Sequence, residues 1–250
     1  MAEVLEGLWI GAIAGLLSGL AGVGGGIVIV PLLVLMRGLD QHTAQGTSLL
    51  AFSFPVLATA TWQYWKHGRV NGRMAVWTAT GLAVAGLISA SFTQAIPTPL
   101  LRKVFALFLI GVGGYLFWRS YYKIAAQGTS RWPTWAVGLL AGSTAGLLSG
   151  LTGLGGGIVI VPFLMLIGKL DQHTAQGTSL LTLSMPVLIF ALWPYAKAGR
   201  VAYLTGIGVA IGLLFSSGLS ARLAQQVPST QLSRLFSLIV IGIGGYQFLR

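Results

Sequence analysis

The sequence predicts an all-α polytopic membrane protein made of two homologous repeats, which we expect to be inverted relative to each other. Three observations lead to this prediction. Hydrophobic residues make up 55% of the 250 residues and charged residues only 8%, whereas soluble domains carry roughly a quarter charged residues. Several apolar runs reach the ~20 residues that a helix needs to cross a bilayer. A long block of the first half also recurs in the second half.

The repeated block covers residues 15–50 and returns as residues 146–181, with differences at seven of the 36 positions. The offset of 131 then holds without a gap, for example from Pro55 to Pro186 and from Arg69 to Arg200. Repetition over such a length indicates a duplicated structural unit. We therefore divide the chain into an N-terminal membrane repeat at 1–118, a polar linker at 119–137 and a C-terminal membrane repeat at 138–250.

The apolar runs of the first repeat lie at 7–22, 27–37, 42–66, 73–96 and 101–118. The last three are long enough to span a membrane. At about 1.5 Å per residue, the first two reach only about 24 and 17 Å, and a glycine-rich stretch at 22–26, which helices tolerate poorly, separates them. Each repeat is thus predicted as a Gly-broken helical hairpin, re-entrant or discontinuous, plus three transmembrane helices.

This element count predicts the inversion. A hairpin that does not cross, followed by three spans, gives an odd number of crossings in each repeat. The alternative is a pair of parallel repeats with four spans each, which requires the run 27–37 to cross. The excess of Lys and Arg on one set of loops favours the inverted arrangement with the N-terminus outside.

Composition excludes several classes of protein. Only four residues are acidic against 15 Lys and Arg, so the net charge of +11 comes from missing acids and suits loops against anionic headgroups, not nucleic acid. The absence of Cys excludes thiol catalysis and Cys-ligated metals. The acidic start, with Glu3 and Glu6, is unlike a signal peptide, so we expect the first apolar run to stay in the mature protein.

The glycine breaks are the strongest functional signal. Gly24, Gly25 and Gly26 precede an apolar helix start, and Gly155, Gly156 and Gly157 precede its copy. A helix N-terminus offers unpaired N–H groups and partial positive charge, and glycines allow close approach, so the site suits an anion. Broken helices at matching positions of two repeats point to a transporter binding site. The alternative is tight helix packing, because a four-residue glycine ladder precedes the break at positions 7, 11, 15 and 19.

A nine-residue block that begins at Asp40 recurs letter for letter from Asp171. Each aspartate stands where a helix N-cap is expected; the alternative role is coupling to an ion or proton. His42 and His173 fall in the first helical turn, where a local hydrogen bond competes with a proton-linked role.

Polar side chains in these apolar helices are the remaining candidates for substrate binding. Ser18 and Ser149 precede the glycines, and they pack between helices or contact a ligand. Polar residues of membrane helices usually face the bundle interior, where they can hydrogen-bond an oxyanion. The helix-start candidates are Gln45, Thr47 and Ser48, with their copies Gln176, Thr178 and Ser179.

The long third run carries two further features, a proline in its middle and a basic segment at its end. Pro55 and Pro186 lie in the middle of the predicted helix, which they kink or curve. Lys66 to Val70 and Lys197 to Val201 form basic segments at the helix end. We interpret them as anchors to lipid headgroups, with attraction of an anionic substrate as the alternative.

Together these motifs resemble those of the TauE/SafE-type sulfite exporter family, the toluenesulfonate uptake permease group. The shared pattern is Ser-Gly-x-x-Gly-x-Gly-Gly-Gly, a following Pro, Ala-x-Gly-Thr-Ser and a basic Gly-Arg-Val, all present twice. The resemblance implies a prokaryotic inner-membrane transporter of small sulfur oxyanions or sulfonates. It places the functional stretches at residues 18–26, 44–48, 149–157 and 175–179.

The sequence therefore predicts a secondary transporter of small sulfur-containing anions across the cytoplasmic membrane. A passive anion channel and a transporter of another small organic anion are the alternatives. No phosphate-binding loop and no oriented catalytic set of Ser, His and acid is visible, so we expect no enzyme activity, cofactor or metal. The expected partners are the anion and the bilayer, and the sequence assigns no oligomeric state.

Overall fold

The structure, a computed structural model, describes residues 2–22, 24–92 and 130–249, together with positions 103, 106, 107, 110, 111, 113–115, 117 and 118. Every regular element in the described residues is helical, which confirms the all-α class. The helices of the first repeat are α1 Ala2–Ala21, α2 Gly26–Arg37, α3 Gln41–Ser53, α4 Ala58–Lys66 and α5 Gly72–Phe92.

The second repeat contains the matching series. Its helices are α6 Thr134–Thr152, α7 Gly157–Leu166, α8 Gln172–Ser184, α9 Ile189–Lys197, α10 Tyr203–Gln226 and α11 Ser229–Leu249, with a short 3₁₀ turn Pro186–Leu188 before α9. Helix α6 begins at Thr134, inside the segment 119–137 that the sequence assigned to the linker. Most of that linker, and much of the predicted run 101–118, lies outside the described residues.

Helices α1 and α2 form the predicted glycine-broken hairpin. The chain turns back at Gly24 and Gly25, which have φ values of 85° and 74°, a region that only glycine enters at no steric cost. At the end of α2, Arg37 forms ion pairs with Glu3 and Glu6 in the first turns of α1. The hairpin therefore starts and finishes at the same end of the molecule.

Helix α1 is longer than the predicted run 7–22. It begins at Ala2, five residues before the apolar run, and its two glutamates pair with Arg37. Its 20 residues correspond to about 30 Å, the thickness of a bilayer core.

The third run is two helices in each repeat, and the prediction of one continuous kinked helix was wrong there. Phe54 and Met185 precede the prolines and are extended, with ψ values of 157° and 142°, as the steric demand of a following proline ring requires. Helix α3 consequently ends at Ser53, and α8 meets the segment Pro186–Lys197 at a bend of 53°.

The two repeats are packed into each other. Helix α1 of the first repeat lies along α10 of the second, and α5 lies along α6. The glycine ladder permits this contact: a methyl group added at Gly11 or Gly142 would overlap the backbone of Val209 or Thr78. The packing role of the ladder is thus confirmed.

Four described helices are long and apolar enough to cross a membrane: α1 over Ala2–Leu20, α5, α6 and α10. The bent pair of α8 and its continuation to Lys197 is a fifth candidate. Large apolar side chains stay exposed on these helices, among them Trp9 at 65% and Phe215 at 75%. Such an apolar exterior is what lipid contact requires.

Candidate functional site

The two glycine breaks present the starts of α2 and α7 to the protein interior. Gly25 and Gly156 are the residues before these helices, and no side chain caps either helix start. The first N–H groups of each helix therefore point out of the break with the positive end of the helix dipole. The predicted non-helical breaks are confirmed.

Each break is covered by a helix of the other repeat. A methyl group on Gly22 would meet Gln176 of α8, and one on Gly24 would lie 2.7 Å from Cδ1 of Leu183. Ser179 falls between these two contacts, three residues after the first and four before the second, so it lies on the same face of α8. This face of α8 packs against the first break.

The second break repeats this arrangement. A methyl group on Gly153 would meet Gln45 of α3, and one on Gly155 would lie 3.2 Å from Cε2 of Phe52. Ser48 lies between Gln45 and Phe52 on the same helical face. This face of α3 packs against the break at 153–156.

Four serine hydroxyls at these breaks have no hydrogen-bond partner among the described residues: Ser18, Ser48, Ser149 and Ser179. None of the four side chains is more than 1% exposed. Ser18 and Ser149 occupy the last turns of α1 and α6, directly before the glycines, since their carbonyls accept from the N–H groups of Gly22 and Gly153.

We define half-site 1 as Ser18, Gly22, Gly24, Gly25, Gly26 and Ser179, and half-site 2 as Ser149, residues 153–157 and Ser48. Each half-site takes its glycines and one serine from one repeat and its remaining serine from the other repeat. A buried hydroxyl without a partner costs about 1–3 kcal/mol. Two such groups beside an uncapped helix start form a set of donors that is suited to an anion.

The half-sites are neighbours. A methyl group on Gly26 in the first break would overlap the carbonyl of Leu154 in the second. The two breaks are therefore in contact. The four predicted serines and the predicted glycines are therefore brought together in one region.

The predicted glutamines are held by tyrosines instead of standing free. The Tyr64 hydroxyl lies 3.1 Å from Oε1 of Gln176 and 3.2 Å from the carbonyl oxygen of Gly19. The Gln176 amide nitrogen donates to the carbonyl of Leu20 at 3.2 Å. Gln176 and Tyr64 thus donate to the Leu20 and Gly19 carbonyls, which the end of α1 leaves without an intrahelical donor.

The same arrangement occurs at Gln45. The Tyr195 hydroxyl lies 3.3 Å from Oε1 of Gln45 and 2.8 Å from the carbonyl oxygen of Gly150. Both tyrosines are buried, although aromatic residues near the end of a predicted span are typical of a belt at the membrane interface. Their recurrence at the offset of 131 was the available signal for a shared internal role.

The predicted threonines also have partners. Thr47 Oγ1 donates to the carbonyl of Thr43 at 2.7 Å and accepts from the N–H of Ala202 at 2.9 Å. Thr178 Oγ1 accepts from the N–H of Asn71 at 3.0 Å. These bonds tie the start of each long helix α10 and α5 to the opposite repeat.

The aspartates act as helix caps, as the sequence predicted. Asp40 accepts from the N–H groups of His42 and Thr43 and from the Thr43 hydroxyl, and Asp171 accepts from both donors of Thr174. The bond from the Thr43 hydroxyl is the main reason that the pKa of Asp40 lies below its usual value, with Arg200 adding attraction.

Each aspartate also pairs with the basic segment of the other repeat. Arg200 lies 3.4 Å from Asp40, and Arg69 lies 3.5 Å from Asp171. His42 is half-buried, whereas His173 is buried against the Tyr64 ring, with centroids 6.4 Å apart. Nδ1 of His173 has no hydrogen-bond partner in the part of the chain that the structure describes.

The Tyr–Gln and Arg–Asp contacts between the repeats obey one exchange rule. Tyr64–Gln176 becomes Tyr195–Gln45, and Arg69–Asp171 becomes Arg200–Asp40, when 131 is added to the first residue and subtracted from the second. The two repeats are thus related in these contacts by a pseudo-twofold exchange, and each half-site has a counterpart of nearly the same chemistry.

A cationic cavity of about 870 Å³ lies beside half-site 2, between the end of α5 and α9. Its lining includes His42, Tyr195, Lys197 and Arg200, and Lys197 Nζ lies 5.2 Å from the centroid of the Trp193 ring. Tyr195 connects the cavity to half-site 2, because its hydroxyl contacts the carbonyl of Gly150, next to Ser149.

The fold and the paired helix breaks define the class of polytopic α-helical membrane transporters. The profile of the sulfite exporter TauE/SafE family matches residues 8–246, and the chain belongs to this family. A probable membrane transporter protein of Xylella fastidiosa is 32% identical over 248 residues, covering 96% of this chain and 93% of the relative.

Two relatives from other lineages are also described as probable membrane transporter proteins. The probable membrane transporter protein YdhB of Bacillus subtilis is 27% identical, covering 87% of this chain and 89% of its own length. A probable membrane transporter protein of the archaeon Methanocaldococcus jannaschii is 28% identical, with 96% and 93% covered. No solved structure matches the chain.

Proposed function

We propose that this protein is a secondary transporter of small sulfur-containing oxyanions, such as sulfite or a small sulfonate, across the cytoplasmic membrane of a prokaryote. The observation that carries the proposal is the set of four buried serine hydroxyls without partners at two uncapped helix starts. The family name supports a sulfur oxyanion, and the bacterial and archaeal relatives support a prokaryotic membrane.

The donors match an oxyanion in number and sign. At each half-site, N–H groups of one helix start and two serine hydroxyls donate, and no described carboxylate is part of either set. A hydrogen bond to a charged group contributes about 1.5–3 kcal/mol and a helix N-terminus about 0.3–1 kcal/mol, or more when partly buried. These contributions offset part of the desolvation of the anion and favour moderate affinity, which suits turnover.

The repeats are inverted in this proposal, with the pseudo-twofold axis in the membrane plane. Two contacts support the inversion. Arg37 pairs with Glu3 and Glu6 at the start of α1, so Asp40 and its partner Arg200 belong to that end. Tyr64 contacts Gly19 near the other end of α1, so Lys66 and Arg69 belong to the opposite end.

The cationic cavity provides an approach to half-site 2. Lys197 and Arg200 line it; Arg200 is paired with Asp40, and Lys197 attracts an anion from the aqueous side. This extends the role of the basic segment 197–201 beyond anchoring to lipid headgroups.

Counterflow in proteoliposomes tests the function. Vesicles that contain the purified protein and unlabelled sulfite are diluted into labelled sulfite, and we expect saturable uptake that sulfate-sized oxyanions compete for and acetate does not. Vesicles with the Ser48→Ala, Ser179→Ala double variant serve as the control and should exchange more slowly. Current without saturable exchange would identify a channel, and neither current nor exchange of any sulfur oxyanion would refute the proposal.

A further inference from the structure

The ring of Phe52 lies between the two half-sites. A methyl group on Gly24 would lie 3.6 Å from Cε1 and 3.7 Å from Cζ of this ring, while one on Gly155 would lie 3.2 Å from Cε2 and 3.3 Å from Cδ2. The two breaks therefore face opposite sides of one phenyl group. The side chain is fully buried, so no other occupant shares this space in the present structure.

This position is where the near-identity of the repeats ends. Residues 41–50 and 172–181 are identical, and the two series first differ at Ala51 and Thr182 and then at Phe52 and Leu183. Leu183 is the nearest side chain to Gly24 and Phe52 is the nearest to Gly155, and the phenyl group of Phe52 also reaches Gly24. One side chain thus limits the space at both half-sites.

We propose that Phe52 is a specificity-determining residue that sets the upper size of the anion that the half-sites accept. This inference rests on the proposed anion site. The oxygens of an R–SO₃⁻ ion at either half-site would occupy the donors of the helix start and the serines. Its R group must then extend into the space between the breaks, which the Phe52 ring fills. Sulfite, which has no R group, makes no demand on that space.

Replacement of the ring by a smaller side chain should therefore admit an organic group. A Phe52→Ala change removes roughly the volume of a phenyl group, and binding of benzenesulfonate would place a phenyl group in the same space. Addition of apolar groups to a fitted pocket changes discrimination by about tenfold or more. We expect the ratio of benzenesulfonate affinity to sulfite affinity to rise by at least about tenfold in this variant.

The matched control is Phe54→Ala, which makes the same chemical change two residues further on. Phe54 is 45% exposed and lines a surface groove with Pro55 and Val56, so its loss should leave the ratio unchanged. Phe52→Leu serves as a milder second variant, because truncation of a buried Phe to Ala leaves a cavity that destabilises the fold. With this variant the ratio of ethanesulfonate to sulfite affinity should rise.

The experiment is titration calorimetry of the purified proteins with sulfite, ethanesulfonate and benzenesulfonate. A raised ratio in both Phe52 variants and not in Phe54→Ala supports the inference. Unchanged ratios in Phe52→Leu and Phe52→Ala, while wild type binds sulfite, would overturn it and leave the proposed function intact. Absence of any sulfite binding by the wild type would overturn both.

Discussion

The hydroxyl of Tyr64 lies 3.1 Å from Oε1 of Gln176, 112 residues further along the chain and in the other repeat. The same hydroxyl lies 3.2 Å from the carbonyl of Gly19 and shares its single proton between these two acceptors. This contact, with its copy at Tyr195 and Gln45, holds the end of α1 against α8 next to the first glycine break.

Removal of this hydroxyl should destabilise the protein. In Tyr64→Phe, Oε1 of Gln176 and the Gly19 carbonyl lose a buried donor, at a cost of about 1–3 kcal/mol. We expect a lower melting temperature of the detergent-solubilised protein. Tyr203→Phe is the control because the Tyr203 side chain is 54% exposed. Equal melting temperatures for all three proteins would show that the contact contributes nothing.

The serines should behave in the opposite way. Ser48→Ala and Ser179→Ala remove hydroxyls that have no partner among the described residues, so stability should stay unchanged or rise slightly. Each change should weaken sulfite binding by about tenfold or more, since a bond to a charged group contributes about 1.5–3 kcal/mol. Ser53→Ala is the matched control on α3, because the Ser53 hydroxyl already donates to the Leu49 carbonyl at 2.9 Å. Unaltered sulfite affinity in both serine variants would remove the basis for the half-sites.

Substitution of Thr47 distinguishes a structural role of its hydroxyl from a role in substrate binding. Thr47→Ala leaves the Ala202 N–H without its acceptor, so we expect a loss of about 1–2 kcal/mol of stability with sulfite affinity within about twofold of the wild type. Thr47→Ser keeps the oxygen and should restore the stability. A Thr47→Ala protein of normal melting temperature that has lost sulfite binding would instead assign this hydroxyl to the substrate.

Asp40 should make stability depend on pH. It lies in the connection before α3, and its pKa is lowered from 3.8 in the folded protein, chiefly by the Thr43 hydroxyl. Its stabilising contribution is therefore complete above pH 3.8 and declines as the pH falls through the folded-state pKa. Because about half of the side chain is exposed, the effect is small.

The comparison is the melting temperature of wild type and Asp40→Asn between pH 6 and 3. Asparagine caps a helix about as well as aspartate but does not ionise. The difference between the two proteins should be constant above about pH 5 and shrink below pH 3.8. A difference that grows on acidification would mean that the carboxylate is not the stabilised form.

The all-helical fold class, the glycine breaks and the aspartate caps were predictable because they depend on local chemistry. Positive φ at Gly25 and capping by Asp40 follow from the residues at the break and just before the helix. The sequence placed the change of direction at Pro55 correctly but predicted only a kinked or curved helix, whereas α3 ends there. The sequence could not predict this because the effect of the proline on Phe54 depends on how far the surrounding packing allows the chain to bend. Helix α1 began earlier than predicted because the pairing of Glu3 with Arg37 is a contact between distant parts of the sequence.

Only part of the site was predictable, because several of its contacts join residues that are distant in the sequence. Four serines and the glycines were identified from their duplication, whereas Gln176 and Thr47 were assigned to the ligand although their partners, Tyr64 and Ala202, are in the opposite repeat. No sequence pattern states which helix faces which, so a polar side chain that binds protein and one that binds substrate look alike. Phe52 was missed because it is the position where duplication fails.

The most direct test of the central claim is to locate the bound anion. Selenite, the heavier analogue of sulfite, would be introduced into crystals of the protein and its selenium located by anomalous scattering. If the anion binds at the half-sites, we expect a peak within hydrogen-bond distance of the serine hydroxyls of half-site 1 or half-site 2, beside the start of α2 or α7. Selenium bound only in the cationic cavity at Lys197 and Arg200, with both half-sites empty, would contradict it.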